Sequence, residues 1–261
     1  MTVDRYAGAA RRWAHGAALV YAPIAEELVA TAPHPLTGRR VLDVGAGTGV
    51  ASTVLTRVGA RPLATDLSHD MLAWDHHARP PAIVANVYAM PVAPQSVDDV
   101  VAAFVLNHLV QPVRALAELR RVTRPGGALL ACVYANSSRS EARDAIDDAA
   151  RQRGWEVPAW YVELKREATP LLGTAPDFQR AAKEAGFVDL LVDERAVDVG
   201  VDEPEQLVDY RLGQANYSAW LDELGPHRAD EVKAQLVEVI RPIMRPYRPI
   251  VVFVSATIPR R

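Results

Sequence analysis

The chain has 261 residues, with 29 lysines and arginines against 32 acidic residues, a formal net charge of −3, and one cysteine. Hydrophobic residues at 49% and charged residues at 23% are the proportions of a globular protein and exclude a disordered or collagen-like chain. A single cysteine excludes an intrachain disulfide and a cysteine-based zinc site, and the slight acidity argues against a general nucleic-acid binder, which needs a basic face.

Residues 1–36 read as helical: Ala9, Trp13, Ala17, Val20, Ile24 and Leu28 recur at three- and four-residue steps, and Pro33 and Pro35 close the segment. The start carries Asp4, Arg5, Arg11 and Arg12 and no apolar signal core, so a cytoplasmic protein is expected. Arg40 to Val44 is a short apolar strand, followed by Gly45-Ala46-Gly47-Thr48-Gly49 and a helix marked by Val50, Val54, Leu55 and Val58. Pro62 to Asp66 is a second strand, after which Ser68 caps a helix containing Met71 and Leu72. Ala82 to Ala85 is a third strand. Asp99 to Leu106 is a fourth, apolar as expected of a strand covered on both faces, and its apolar run is far too short for a membrane span of about 20 residues. Leu109 to Val122 forms a helix, and Arg124-Pro125-Gly126-Gly127 turns the chain into a fifth strand, Ala128 to Val133. Strands alternating with helices predict a doubly wound α/β fold with a mostly parallel sheet.

Beyond Asn136 the pattern changes. Residues 137–175 are charged and aromatic and read as a helical insertion or lid. A helix over 176–185 ends at Gly186, Phe187 to Val201 contains a strand, 203–240 is helical, Arg241 to Pro249 is a connector, and Ile250 to Val254 is a final strand. The organisation expected is an N-terminal helical segment (1–36), one half of the core (37–136), the insertion (137–175), and the other half of the core with further helices (176–261).

The most informative stretch is Asp43-Val44-Gly45-Ala46-Gly47-Thr48-Gly49, between a strand and a helix. Glycines let the chain turn tightly and a ligand approach the backbone, and the following helix offers free N–H groups. A nicotinamide dinucleotide site wants a third glycine or alanine where Val50 stands, so that pattern fails. The spacing resembles motif I of the class I S-adenosylmethionine-dependent methyltransferases. Asp66 lies where that family places the carboxylate that binds both ribose hydroxyls, and Asp66-Leu67-Ser68 with Met71-Leu72 is similar to the family's next run. Asn86-Val87-Tyr88-Ala89-Met90-Pro91 is similar to the segment after strand three, with Asn86 where aspartate is usual, and Arg124-Pro125-Gly126-Gly127 matches the turn before strand five. The matching motifs run from Val41 to Val133, about a third of the chain.

The resemblance implies a seven-stranded sheet whose last strand runs antiparallel. It implies S-adenosylmethionine held by Asp43, Gly45, Ala46, Gly47, Thr48, Gly49, Asp66, Leu67, Met71, Asn86, Val87 and Phe104. In this reading Leu67 lies on the adenine face, Asn86 accepts from the adenine amino group, Val87 offers a backbone N–H, and 1–36, 137–175 and 203–240 form the acceptor pocket. Methyl transfer to a small organic acceptor is then expected, of the quinone-precursor or specialised-metabolite kind. His108 is the candidate general base, with Tyr217 behind it, and Tyr21, Asn107, His108, Tyr210 and Tyr217 line the acceptor pocket. No metal, nucleic-acid or membrane partner is expected, and the chain would act as a monomer or homodimer. Alternatives are a non-catalytic binding module for the same cofactor, a methyltransferase acting on a macromolecule, and a nicotinamide oxidoreductase.

Other residues have ordinary readings. His76 and His77 are expected on different faces of one helix, Asp98 and Asp99 at a strand start away from ligands, and Cys132 buried and inert. Trp13, Trp155, Trp160 and Trp220 are core anchors or pocket walls, and Arg241, Arg245 and Arg248 belong to a solvated connector.

Overall fold

A computed structural model describes residues 4–260; positions 1–3 of the expected N-terminal helical segment lie outside the described residues. One sheet of seven strands organises the chain: β1 (Arg40–Val44), β2 (Arg61–Asp66), β3 (Ala82–Val84), β4 (Asp99–Ala103), β5 (Ala128–Tyr134), β6 (Val188–Ala196) and β7 (Ile250–Thr257). The spatial order is β3-β2-β1-β4-β5-β7-β6. The first five strands are parallel, and β7 runs antiparallel to both β5 and β6. The strand order reverses between β1 and β4, and in open α/β sheets the crevice outside the carboxyl ends at such a point is where ligands bind.

The apolar runs become central strands because helices cover both faces. Along β5, Leu130 and Cys132 join one core layer while Leu129, Ala131 and Val133 join the other, and all five are fully buried. The first layer packs under Ala18–Ala30, Val50–Arg57, Glu141–Gln152, Pro204–Leu212 and Ala215–Ile240; the second under Pro112–Val122 and Ala175–Glu184. Ser68 caps His69–Ala73 by accepting from the Met71 N–H at 3.3 Å. Cys132 is buried, and burial pushes its thiol up, out of the range where a thiolate forms.

Several expected boundaries move, each for a local reason. The fourth strand stops at Ala103, because Phe104 turns left-handed (φ +57°) and Leu106–His108 forms a 3-10 turn. The N-terminal helix ends at Ala30, accommodates Pro23, and widens to a π-turn over Trp13–Ala17. That turn lies against Pro204–Leu212 so closely that a Cβ on Gly16 would stand 2.2 Å from the Asp209 carbonyl oxygen. The 203–240 segment is two helices meeting at Gly213 and Gln214, the second kinked at Gly225 before Pro226. His76 and His77 follow the end of their helix in a turn, with ring centroids 3.8 Å apart, so they do not face apart on one helix. Asp98 and Asp99 pin the amino ends of the strands. Asp99, buried, accepts from Arg39 (Nε, 2.5 Å) and the Ala128 N–H (2.8 Å); Asp98 accepts from the Arg40 N–H and from Arg124.

Candidate functional site

At the carboxyl end of β1 the chain turns through three left-handed glycines: Gly45 (φ +67°), Gly47 (φ +53°) and Gly49 (φ +98°). A Cβ on Gly45 would stand 2.5 Å from Val105 Cβ, so the loop and the segment after β4 pack backbone to side chain. The Ala46 N–H donates to the Thr65 carbonyl (3.0 Å) and ties the loop to β2. Asp66, at the tip of β2, accepts from the Gly47 N–H on Oδ2 (2.8 Å) and from the Ser68 N–H on Oδ1 (2.9 Å). Each oxygen keeps acceptor capacity beyond those bonds. Burial raises the Asp66 carboxyl from its ordinary range against those same backbone donors.

Asp43 lies beneath the loop. It is 1% exposed and accepts from the Ser52 hydroxyl on Oδ2 (2.6 Å), while Oδ1 has no partner. Burial pushes it up to about 6, against the Ser52 hydrogen bond and the Arg79 charge. Arg79, which the sequence reading missed, lies across the loop. Its Nη1 donates to the carbonyls of Gly47, Met71 and Leu72 at 3.2, 3.1 and 2.8 Å, while Nε and Nη2 are buried without partners. No sequence signal marks it, because it comes from the irregular link between Ala73 and β3. Thr48 and Leu67 reach the surface beside the loop, Leu67 being 42% exposed. Met71 is buried beside Gly47. The Asn86 side-chain oxygen accepts from the Tyr88 N–H (2.9 Å) and shapes a local turn, with half-buried Val87 packed on the core.

The tips of β4 and β5 carry an aromatic wall. Tyr21 meets Phe104 edge-on (4.8 Å between centroids) and stacks on Trp13 (5.0 Å), while Phe104 lies 4.5 Å from Tyr134. Tyr6 packs on Trp13, and its hydroxyl lies 3.3 Å from His108 Nδ1. Tyr6, Tyr21, Tyr134 and His108 are half-exposed, yet burial shifts all four side chains toward their neutral forms. These rings form a partly open aromatic face at the tips of β4 and β5, the aromatic cleft. The left-handed Phe104 is strained for a bulky side chain, by about 1–2 kcal/mol, and such residues cluster at functional sites. Burial, then the charges of Lys165 and Arg5, hold His108 down to about 4, so it is neutral at physiological pH.

The expected acceptor residues divide. Tyr21 and His108 face the cleft, and Asn107 is buried beside it with Oδ1 unpartnered. Tyr210 stands one layer back, its hydroxyl 3.1 Å from that of Tyr134. Tyr217 corrects the expectation of a second base: it is fully buried, stacks on Trp155 at 4.1 Å and donates to Asp147 at 2.5 Å, and burial raises its hydroxyl far above physiological pH. Trp160 packs 6.5 Å from Tyr6 at the rim. The sequence reading also missed Tyr6 and Tyr134; the position of Tyr134 at the end of an apolar strand was the available signal. A separate cavity of about 600 Å³, lined by Glu26, His34, Leu36 and Arg57 among others, lies near the amino ends of the strands, away from the switch point.

Residues 42–131 match a family described as a methyltransferase domain. The matched stretch is about a third of the chain and runs from β1 to β5, through the glycine loop and Asp66. Demethylmenaquinone methyltransferase of Renibacterium salmoninarum is 36% identical over 166 residues, covering 60% of this chain and 65% of that protein. Its namesake from Mycolicibacterium paratuberculosis is 38% identical over 103 residues, 40% of this chain and 45% of that protein. The aligned part thus spans less than two thirds of either relative. Phosphoethanolamine N-methyltransferase 2 of Haemonchus contortus, solved with phosphomonomethylethanolamine and S-adenosylhomocysteine, aligns with a TM-score of 0.59 at 20% identity, over 91% of this chain and 52% of that one. At that identity the likeness concerns the methyltransferase fold, seven strands with the seventh antiparallel. Among the described residues no helix is long and apolar enough to cross a membrane, and no group of three potential metal ligands occurs.

Proposed function

We infer that this chain transfers a methyl group from S-adenosylmethionine to a small aromatic acceptor, of the hydroxylated-ring kind found in quinone or specialised metabolism. The observation that carries this reading is the juxtaposition of the left-handed glycine loop and Asp66 with the aromatic cleft at the tips of β4 and β5. The residues fit the ligand. The glycines leave backbone open where side chains would crowd, and Asp66 has acceptor capacity for the two hydroxyl donors of a ribose. Asp66 would hold the ribose, exposed Leu67 and the Asn86–Val87 segment the adenine, and Phe104 the methionine end.

S-adenosylmethionine supplies an electrophilic methyl on positively charged sulfur. The chain must orient the acceptor atom and exclude water from its path, and the aromatic walls supply a flat, apolar surface for both. A phenol or carbon acid must also lose a proton. For His108 to take it at Nε2, Nδ1 must carry hydrogen and donate to the Tyr6 oxygen, so that one contact sets both tautomer and ring orientation. The neutral state of His108 leaves the site open for the proton, and burial, with the nearby cations, makes it a weak base that returns the proton readily.

Calorimetric titration with S-adenosylhomocysteine, on the wild type and on Asp66→Ala, tests the cofactor reading. Saturable binding lost in the variant is expected, and no binding by the wild type refutes it. Methyl-labelled cofactor incubated with hydroxylated aromatic compounds, RNA and protein tests the acceptor. Label found only on macromolecules overturns the small-molecule reading. His108→Asn should lower kcat by about 10²–10⁴ with cofactor affinity retained; an unchanged kcat removes it as the base.

A further inference from the structure

Behind the aromatic wall the insertion and the C-terminal helices bring three cations to one side of the cleft. Arg211, 5% exposed, forks onto Asp147 through Nε (2.7 Å) and Nη2 (2.6 Å), and Tyr217 completes that carboxylate. Asp147 is thereby spent. Arg143 donates from Nη1 to the Tyr247 hydroxyl (3.3 Å), a neutral partner. Lys165 stands over the Tyr161 ring, Nζ 5.4 Å from its centroid. Among the described residues neither Arg143 nor Lys165 has a carboxylate within ion-pair distance, although the chain as a whole is acidic.

The cluster joins the cleft at two points. From Arg143, the path runs through Tyr247 to Tyr210, 5.5 Å ring to ring, and from the Tyr210 hydroxyl to Tyr134 in the wall. From the other side, the Leu164–Ala168 turn bearing Lys165 packs against the Leu106–His108 turn, and the charge of Lys165 is felt at His108. Lys165 is exposed to water but deep among protein atoms, and burial, then the fields of Arg211 and Arg143, push its ammonium down against the pull of Tyr161. Arg211 and Lys165 lower the Tyr161 hydroxyl despite its burial. Two cations without a carboxylate partner, one of them on a turn packed against the His108 turn, offer an anion a site. A neutral ring would leave Lys165 and Arg143 without an anionic partner.

We propose that the acceptor is an aromatic carboxylate, its ring against Tyr21, Phe104 and Tyr134 and its carboxylate received by Lys165, Arg143 and the Tyr161 hydroxyl. This rests on the small-acceptor reading above and narrows it to an anionic class. Bound there, the carboxylate fixes the ring's rotation in the cleft and so selects which ring position faces the methyl.

The test uses the full chain saturated with S-adenosylhomocysteine and two matched pairs of probes: 2-naphthoate with 2-naphthamide, and 4-hydroxybenzoate with 4-hydroxybenzamide. At least one carboxylate is expected to bind tenfold or more tightly than its amide, with the preference shrinking as salt rises. Lys165→Met, on an exposed turn, and Arg143→Met should each reduce the preference, and Lys165→Arg should keep most of it. Equal affinities within both pairs, tighter amides, no binding by any probe, or a preference that survives both methionine substitutions overturns the proposal. The same titrations without S-adenosylhomocysteine separate the two readings. A charge preference in a protein that ignores the nucleoside defeats the methyltransferase reading and leaves the anion site standing.

Discussion

Gly45→Ala isolates the contact on which the glycine loop after β1 depends. The substitution imposes two separable costs. An L-residue at φ +67° is disfavoured by about 1–2 kcal/mol. The new methyl also stands 2.5 Å from Val105 Cβ and 2.6 Å from its Cγ2, and overpacking of this kind typically costs about 1–3 kcal/mol. The Cβ of Val105 is fixed to the backbone and no rotamer moves it away. The expected destabilisation is therefore about 2–5 kcal/mol, read as a lower urea midpoint at unchanged slope, together with loss of S-adenosylhomocysteine binding. A double-mutant cycle separates the two costs. Val105→Ala retains the nearer atom and should rescue little; Val105→Gly removes both atoms and should show a favourable coupling of about 1–3 kcal/mol with Gly45→Ala, leaving the conformational part unrelieved. Gly45→Ala within about 0.5 kcal/mol of wild type, or absence of coupling to Val105→Gly, would refute the close approach.

Other substitutions probe the buried charges. Asp43 carries a folded-state value raised to about 6, so its contribution is favourable while it is protonated and is lost as pH rises through 6. Asp43→Asn keeps an acceptor for Ser52 and removes the ionisation; relative to wild type it should gain about 2 kcal/mol between pH 4 and pH 8, from a rise of about two units at 1.36 kcal/mol each, part of which is already lost at pH 4. Chemical denaturation at the two pH values reads this directly, and a pH-independent difference contradicts the buried carboxylate. Arg211→Met leaves Asp147 without its forked partner and should cost about 3–5 kcal/mol, part of which Asp147→Asn in the same chain should restore. If the double variant is no more stable than Arg211→Met, Asp147 is not held by that pair.

Much of the fold was legible because the determinants are local. The alternation of short apolar runs with three- and four-residue periodicity announced the wound sheet, and Ser68 announced its helix. The run through Phe104 to Leu106 misled, since apolar composition says where a strand is buried and not where the backbone bends. The bend at Phe104 comes from its place between the Gly45 loop and β5, whose Cys132 carbonyl accepts the Phe104 N–H at 2.9 Å. The residues proposed to hold the cofactor were readable because they follow one another along the chain at fixed spacing. The residues proposed for the acceptor were readable only in part: Tyr21 and His108 were expected, whereas Tyr6, Tyr134, Arg143 and Lys165 are far apart in sequence and carry no shared pattern. Tyr217, with the same composition signal as Tyr21, proved to be a core residue because Asp147, 70 positions earlier, meets its hydroxyl.

By itself, then, the sequence determined the strand–helix alternation and the glycine turn with its neighbouring carboxylate, since propensity, periodicity and spacing act over a few residues. Only the tertiary structure decided which aromatic rings face the cleft, which carboxylate is already paired, and where unpaired cations gather. Those outcomes depend on burial and charge contacts between distant segments, and the energy of a buried charge is set by its whole surroundings and not by its neighbours along the chain.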